Sequence, residues 1–369
     1  MLNLCLLLQG LCEAGFLLGS RGKFGTKSPE GIAARGNEND NRSELQKEVS
    51  LMTERFAVIG GAGFIGSHFT RELLNRGNSV LVIDNFCSGT KKHLANSENH
   101  PNFKLIDMNV EDTEKLALAL KDIDTVVHLA SNPDIAKAAT EPRIDFMQGT
   151  ALTESVVEAS RQTKVKSILY ASGSGVYGDA GETVLTENSK INPISTYGAS
   201  KLAGEALLSS YSFMFGIKTI SFRFANVVGD KQTHGVGYDF LRKLLDNKTS
   251  LEILGNGNQS KSYVHVSDVI SGVLDAYHHS DSMNEVYNLS TDDYLSVNEI
   301  ADLAVETLGI NPSAIEYKYT GGIRGWKADV PIVRLNTTKL RSIGWRPEYT
   351  SRSAMKVSLS DMYRDLQKS

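Results

Sequence analysis

Arg55-Phe56-Ala57-Val58-Ile59-Gly60-Gly61-Ala62-Gly63-Phe64-Ile65-Gly66 is the stretch of this 369-residue chain that decides its fold. Five strand-length residues run straight into glycines at 60, 63 and 66, and the pattern of Ser67–Arg76 then predicts a helix that stops at Gly77. A second apolar run, Ser79–Ile83, ends at Asp84-Asn85, with Asp84 18 residues beyond Gly66. Glycines at this spacing permit a tight turn, close approach of backbone to a pyrophosphate, and close helix–strand packing. The helix start offers free N–H groups and partial positive charge to phosphate. An acid at the end of the second strand accepts hydrogen bonds from a ribose and repels a 2′-phosphate, so the unit predicts dinucleotide binding with NAD preferred over NADP.

About 130 residues downstream, Tyr197-Gly198-Ala199-Ser200-Lys201 opens a segment with apolar residues at helical spacing, preceded by Pro193 and Ser195 as start signals. Residues i and i+4 share one helix face. A phenol ionises near 10 when unperturbed, so a tyrosine base needs a neighbouring cation, which Lys201 supplies. Taken alone, the pair reads first as an ordinary Tyr–Lys contact on a solvated helix face.

With the glycine turn, Asp84-Asn85, Asp107, His128-Leu129-Ala130, Val176-Tyr177-Gly178 and Tyr197-x-x-x-Lys201 in order, the chain resembles the extended short-chain dehydrogenases/reductases. Within them it is most similar to the NAD-dependent nucleotide-sugar epimerases and dehydratases, particularly the UDP-glucose 4-epimerases. Arg223-Phe224-Ala225-Asn226-Val227-Val228-Gly229, Lys261-Ser262-Tyr263-Val264-His265-Val266 and Tyr287-Asn288-Leu289-Ser290 continue the likeness, which covers about residues 53 to 366. The resemblance implies NAD as cofactor and a transient 4-keto sugar formed with Tyr197 as base and Lys201 as its cationic partner. By the same likeness, Gly60, Gly63, Phe64, Ile65 and Gly66 wrap the pyrophosphate, and Asp84, Asn85 and Ser88 hold the adenosine ribose. Asp107-Met108 flank the adenine, Asp107 alternatively serving as a turn or helix cap. Leu129, Ala130 and Ser131 pass beside the nicotinamide ribose. Asn226, Lys261 and Arg324 are the implied substrate-binding residues, grasping a nucleotide diphosphate; lysine at 261, where the family usually has arginine, offers a point charge without bidentate geometry. Arg324 lies two residues further from Asp329 than the bacterial epimerase pattern places it. Trp326 stacks on substrate or packs in its loop, and Asn132-Pro133-Asp134 touches the sugar or turns the chain.

One position departs from the family. Its Ser or Thr three residues before Val-Tyr-Gly is Gly173 here, within Ala171-Ser172-Gly173-Ser174-Gly175-Val176. Either Ser172 or Ser174 is the expected replacement, with Ser174 preferred because glycines flank it; turn hydrogen bonding is the alternative for both. The 4,6-dehydratases of the family carry Asp-Glu where this chain has Ser174-Gly175, which favours epimerisation. A decarboxylase and a simple sugar dehydrogenase or reductase remain alternatives. A non-catalytic NAD-sensing protein has no need of the Tyr–Lys pair.

Composition is that of an ordinary globular chain, 41% hydrophobic and 22% charged with net charge −4, without a basic block that would suggest nucleic acid. Apolar runs are too short to span a bilayer. Cys5, Cys12 and Cys87 have no metal-ligand spacing, so no metal site is expected and a cytoplasmic setting fits. Alternating strand and helix patterns predict an α/β fold: a Rossmann-like doubly wound parallel sheet with strands at 55–60, 79–84, 103–107, 124–130, 166–172 and 217–224. Helices are expected at Thr113–Leu120, Ile144–Ala159 and Thr196–Phe215. The expected division is an extension over 1–51, a cofactor-binding domain over 52–225, and a smaller C-terminal substrate-binding lobe over 226–369. The extension is leucine-rich to Ser20 and then polar, and Met52 is the expected start of the functional protein. The resemblance further implies a homodimer through the helices around 144–159 and 196–215.

Overall fold

The computed structural model describes residues 53–367; the expectations on the N-terminal extension and on Met52 lie outside them. Seven strands form one parallel sheet: β1 (Arg55–Ile59), β2 (Ser79–Asp84), β3 (Phe103–Asp107), β4 (Thr125–His128), β5 (Ser167–Gly173), β6 (Lys218–Phe224) and β7 (Asn284–Leu289). Their order across the sheet is β7-β6-β5-β4-β1-β2-β3. The order reverses between β1 and β4, which opens a crevice at the carboxyl ends of the strands, where such sheets take ligands.

The alternation of side chains along β1 explains why both faces are covered. Phe56 and Val58 join a core with Phe69 and Leu73 of helix α1 (Phe64–Asn75) and with Val269 and Val273 of the helix Val266–His279. Ala57 and Ile59 point into a second core with Leu116 of α2 (Thr113–Ala119), Val156 and Val157 of α3 (Leu152–Thr163) and Leu208 of α4 (Thr196–Phe215). A third apolar cluster lies entirely beyond residue 226, with Phe240, Leu241, Leu251, Ile300, Leu303, Met355 and Leu359 at its centre.

Several elements differ from the sequence expectation for local reasons. Helix α1 begins at Phe64 rather than Ser67, because Gly63 takes an extended backbone and acts as its cap. The stretch expected to be helical from Ile144 holds a π-type turn over Phe146–Ala151 before α3. There Gly149 lies so close to α4 that a Cβ on it would come within 2.6 Å of the Ser200 hydroxyl. The seventh strand lies beyond the expected boundary at residue 225. Among the described residues it pairs only with β6, and its exposed or half-buried Asn284, Glu285 and Val286 lack the apolar run of an inner strand.

Candidate functional site

The site is assembled where β1, β4, β5 and β6 end. Gly60 leaves β1 with φ +81°, and a Cβ on it would meet the Ala130 nitrogen at 2.9 Å. Gly66 packs the first turn of α1 onto this corner: its Cβ would stand 2.2 Å from the Gly60 carbonyl. At Gly63, by contrast, the nearest atom to an added Cβ is 3.3 Å away, and no side chain caps the helix there. The turn therefore presents Phe64 and Ile65 at an uncapped, positively polarised helix start, a cradle suited to a pyrophosphate.

Asp84 is buried at the end of β2, where one carboxylate oxygen accepts the Ala62 N–H and the other the Phe86 N–H, each at 2.8 Å. It fixes the glycine turn, and each oxygen retains lone-pair capacity for a further donor such as a ribose hydroxyl. Asn85 and Ser88 are exposed beyond it, with Asn85 Oδ1 accepting the Cys87 N–H at 3.1 Å. The β2–β3 register sets an exposed Asp107 opposite Asp84, and the Met108 N–H donates to the Asp84 carbonyl at 3.1 Å. On the other side of the turn, the Leu129 and Ala130 N–H groups both donate to Ile59, which carries residues 129–131 past the cradle. Residues from the ends of β1, β2 and β4 thus surround one corner, as a dinucleotide requires.

Tyr197 and Lys201 lie on one face of α4, with the Lys201 ammonium 5.4 Å from the Tyr197 ring centre. Lys201 is buried and donates to the Ala171 carbonyl at 2.8 Å. Burial lowers its pKa to about 8, with the nearby Asp145 charge working the other way. Burial also pushes the Tyr197 phenol up to about 12; the Ser131 hydroxyl favours its ionised form and Asp145 opposes it. Beneath them His128 is fully buried, its Nε2 3.0 Å from the Thr153 hydroxyl, and burial followed by the Lys201 charge lowers its pKa to about 3.

Of the two serines expected near the base, Ser172 is drawn away. It donates to Glu205 Oε1 at 2.5 Å and is buried. Glu205 in turn accepts from Arg223 Nε (3.0 Å) and Nη2 (2.7 Å), and Arg223 donates to Tyr177 Oη, which donates to Asn288 Oδ1. This network joins three motif segments and holds the turn after β5; the Ser172 side chain belongs to it, a correction to its expected place at the base. The Ser174 hydroxyl, in the short helical turn Ser174–Val176, has no hydrogen-bond partner among the described residues. Gly198 seats that turn against α4, since a Cβ there would come within 2.4 Å of the Gly175 carbonyl.

The expected substrate residues converge on one wall. A short parallel pair, Asn226–Val228 with Tyr263–His265, places Asn226 opposite Tyr263. Lys261 donates to Asp329 Oδ1 at 2.7 Å, while Arg324 donates to the Asp329 carbonyl and pairs with Asp179. Both cations are therefore held by acids that sequence reading did not assign. Trp326 is half-buried in the same loop. Asn132 is buried, donating to Asp145 and capping its own turn at Asp134. Among the described residues, no helix is long and apolar enough to cross a membrane.

A glycine-cradled dinucleotide corner beside a Tyr–Lys pair defines a short-chain dehydrogenase/reductase-type enzyme. Residues 56–290 match the model of the NAD dependent epimerase/dehydratase family, and the chain belongs to that family. It is 30% identical to UDP-glucose 4-epimerase of Lactobacillus helveticus over 79% of this chain and 92% of the relative. A crystal structure of UDP-galactose 4-epimerase superposes with TM-score 0.76 at 36% identity, covering 85% of this chain and 99% of that one. UDP-glucose 4-epimerase of Thermus thermophilus, solved in complex with NAD, superposes at 0.73 with 28% identity, covering 84% and 98%. The protein is an NAD-dependent enzyme of this nucleotide-sugar-modifying family, and the cradle, the Asp84 corner and the 129–131 passage fit its cofactor.

Proposed function

We propose that the protein interconverts UDP-glucose and UDP-galactose by inverting C4 of the sugar. The observation that carries this reading is the Tyr197–Lys201 pair set beside the dinucleotide corner, with Ser174-Gly175, and no acid pair, in the adjoining turn. When bound, NAD would supply the hydride acceptor and donor for the sugar carbon. The protein's share is proton transfer and orientation. Tyr197 takes the proton of the 4-hydroxyl and gives it back. Lys201, whose lowered pKa of about 8 leaves it mostly cationic at neutral pH, steadies the negative charge on the phenol oxygen. Asn226, Lys261 and Arg324 hold the nucleotide diphosphate, the two cations exchanging their carboxylate partners for phosphate. The residues beyond 226 that share the third apolar cluster act as the substrate lobe.

The enzyme works as a cytoplasmic homodimer in this reading. Support for the dimer comes from exposed apolar residues on the expected helices, Phe146 and Met147 before α3 and Phe213 and Met214 on α4. The test is incubation of the full-length protein with UDP-glucose and, separately, UDP-galactose without added reductant, with chromatographic separation of the products. Convergence of both reactions on one mixture, abolished by Tyr197→Phe, is the expected result. No interconversion by protein that retains NAD would overturn the substrate assignment. Stoichiometric release of NADH would favour a dehydrogenase, and loss of carbon dioxide from a uronic-acid substrate a decarboxylase.

A further inference from the structure

Asp145 is a carboxylate with 1% of its surface exposed, placed between two segments that meet at the base. Its Oδ1 accepts from Asn132 Nδ2 at 2.8 Å, and its Oδ2 accepts from the Thr196 hydroxyl at 2.7 Å. Asn132 is itself locked, because its Nδ2 also reaches the Asp134 carbonyl at 2.8 Å and its Oδ1 accepts the Asp134 N–H at 3.0 Å. The neighbours of the clamped residues are Ser131 and Tyr197, so one buried acid ties together the two segments that carry the serine hydroxyl and the phenol whose ionised form that hydroxyl favours. The other hydroxyls near the base are differently disposed: Ser172 is bound to Glu205, Gly173 has no side chain, and Ser174 has no partner among the described residues.

We propose that Ser131 is the hydroxyl that shares the reactive proton of Tyr197, and that Asp145 is the positioning residue that holds it there. The inference rests on Tyr197 being the base of the proposed reaction. When the phenol oxygen is ionised, the Ser131 O–H donates to it; when it has taken the substrate's proton, the Tyr197 O–H donates to the Ser131 oxygen. No bond to the serine oxygen is made or broken other than these hydrogen bonds. The charged and titratable groups around the phenol act in different directions. Lys201 stands on its own helix, Asp145 precedes α3, Tyr170 lies on β5, and His128, neutral, lies at the end of β4 beneath Lys201. Asp145 and burial disfavour the phenolate, and Ser131 is the neighbour that favours it from outside α4.

The test uses full-length protein carrying NAD, as wild type, Ser131→Ala, Ser131→Thr, Ser174→Ala, Asp145→Ala and the Asp145→Ala/Ser131→Ala double variant. Tyr197 ionisation is read without substrate from phenolate absorbance, as a difference against Tyr197→Phe. Loss of a hydrogen bond to the ionised form should raise the Tyr197 pKa by about one unit or more in Ser131→Ala, with Ser131→Thr restoring it and Ser174→Ala leaving it in place. The kcat/KM profile should show the same displacement, with about tenfold lower kcat near neutrality and little change in KM. Circular dichroism checks that each variant is folded. Adding Ser131→Ala to Asp145→Ala should cost little more, because the clamp and the hydroxyl act as one unit. An unmoved Tyr197 titration in Ser131→Ala, a displaced one in Ser174→Ala, or additive losses in the double variant would overturn the assignment. A displaced titration in protein that converts neither UDP sugar would leave this inference standing and remove the proposed function; turnover with an unmoved titration would do the reverse.

Discussion

Replacing Glu205 by leucine tests whether the turn after β5 is held by a buried ion pair. Glu205 and Arg223 have side chains only 7% and 3% exposed, and Glu205 accepts three hydrogen bonds, two from Arg223 and one from Ser172. Removing one partner of a buried pair leaves the other charge uncompensated and costs about 3–5 kcal/mol. Arg223 keeps two neutral acceptors, Tyr177 Oη at 2.9 Å and the Glu187 carbonyl at 3.0 Å, which places the loss at the lower end, about 3 kcal/mol. Urea unfolding followed by circular dichroism and tryptophan fluorescence should show a midpoint lower by about 1 M. The double variant Glu205→Leu/Arg223→Met should recover most of the loss, because two buried charges leave together. A single-variant loss below about 1 kcal/mol, or a double variant as unstable as the summed singles, would refute the pair as the element that couples these segments.

Three further outcomes follow from the same geometry. Gly66→Ala should abolish NAD retention on gel filtration, because its Cβ would lie 2.2 Å from the Gly60 carbonyl and reopen the turn. Lys261→Met should raise the KM for a UDP sugar about tenfold or more with a smaller effect on kcat, since a charge-assisted phosphate contact contributes about 1.5–3 kcal/mol. Stability should be fully present above pH 6.5 and fall as pH drops toward 3, because the unfolded chain protonates His128 near 6.5 while the fold resists until about 3. His128→Leu should flatten that slope, whose full extent is about 4–5 kcal/mol, in urea titrations run at successive pH values.

The sheet was legible because its information is local. Glycines at 60, 63 and 66 and an acid at 84 occupy fixed offsets within one strand–turn–helix–strand unit, and the structure places each of them at the turn. Tyr197 and Lys201 were legible for the same reason, four residues apart on one helix. Long-range partners were not. Nothing in the pattern around Ser172 indicates that Glu205, 33 residues on, captures its hydroxyl, and nothing around Arg324 indicates Asp179, 145 residues away. Asp145 carries no periodic signal, since it lies where a π-type turn interrupts the helical pattern.

The return of the chain to the sheet at β7 has a consequence for dissecting the molecule. Between β6 and β7 the chain passes through part of the third apolar cluster and then comes back, and Tyr287 stacks on Phe222 at 6.1 Å. A fragment ending at Ala225 would leave β6 as a bare edge with an aromatic surface, a template for pairing with other chains. The two halves are thus threaded through one another, and neither the cofactor half nor the lobe is a cassette that recombination could exchange by a single cut.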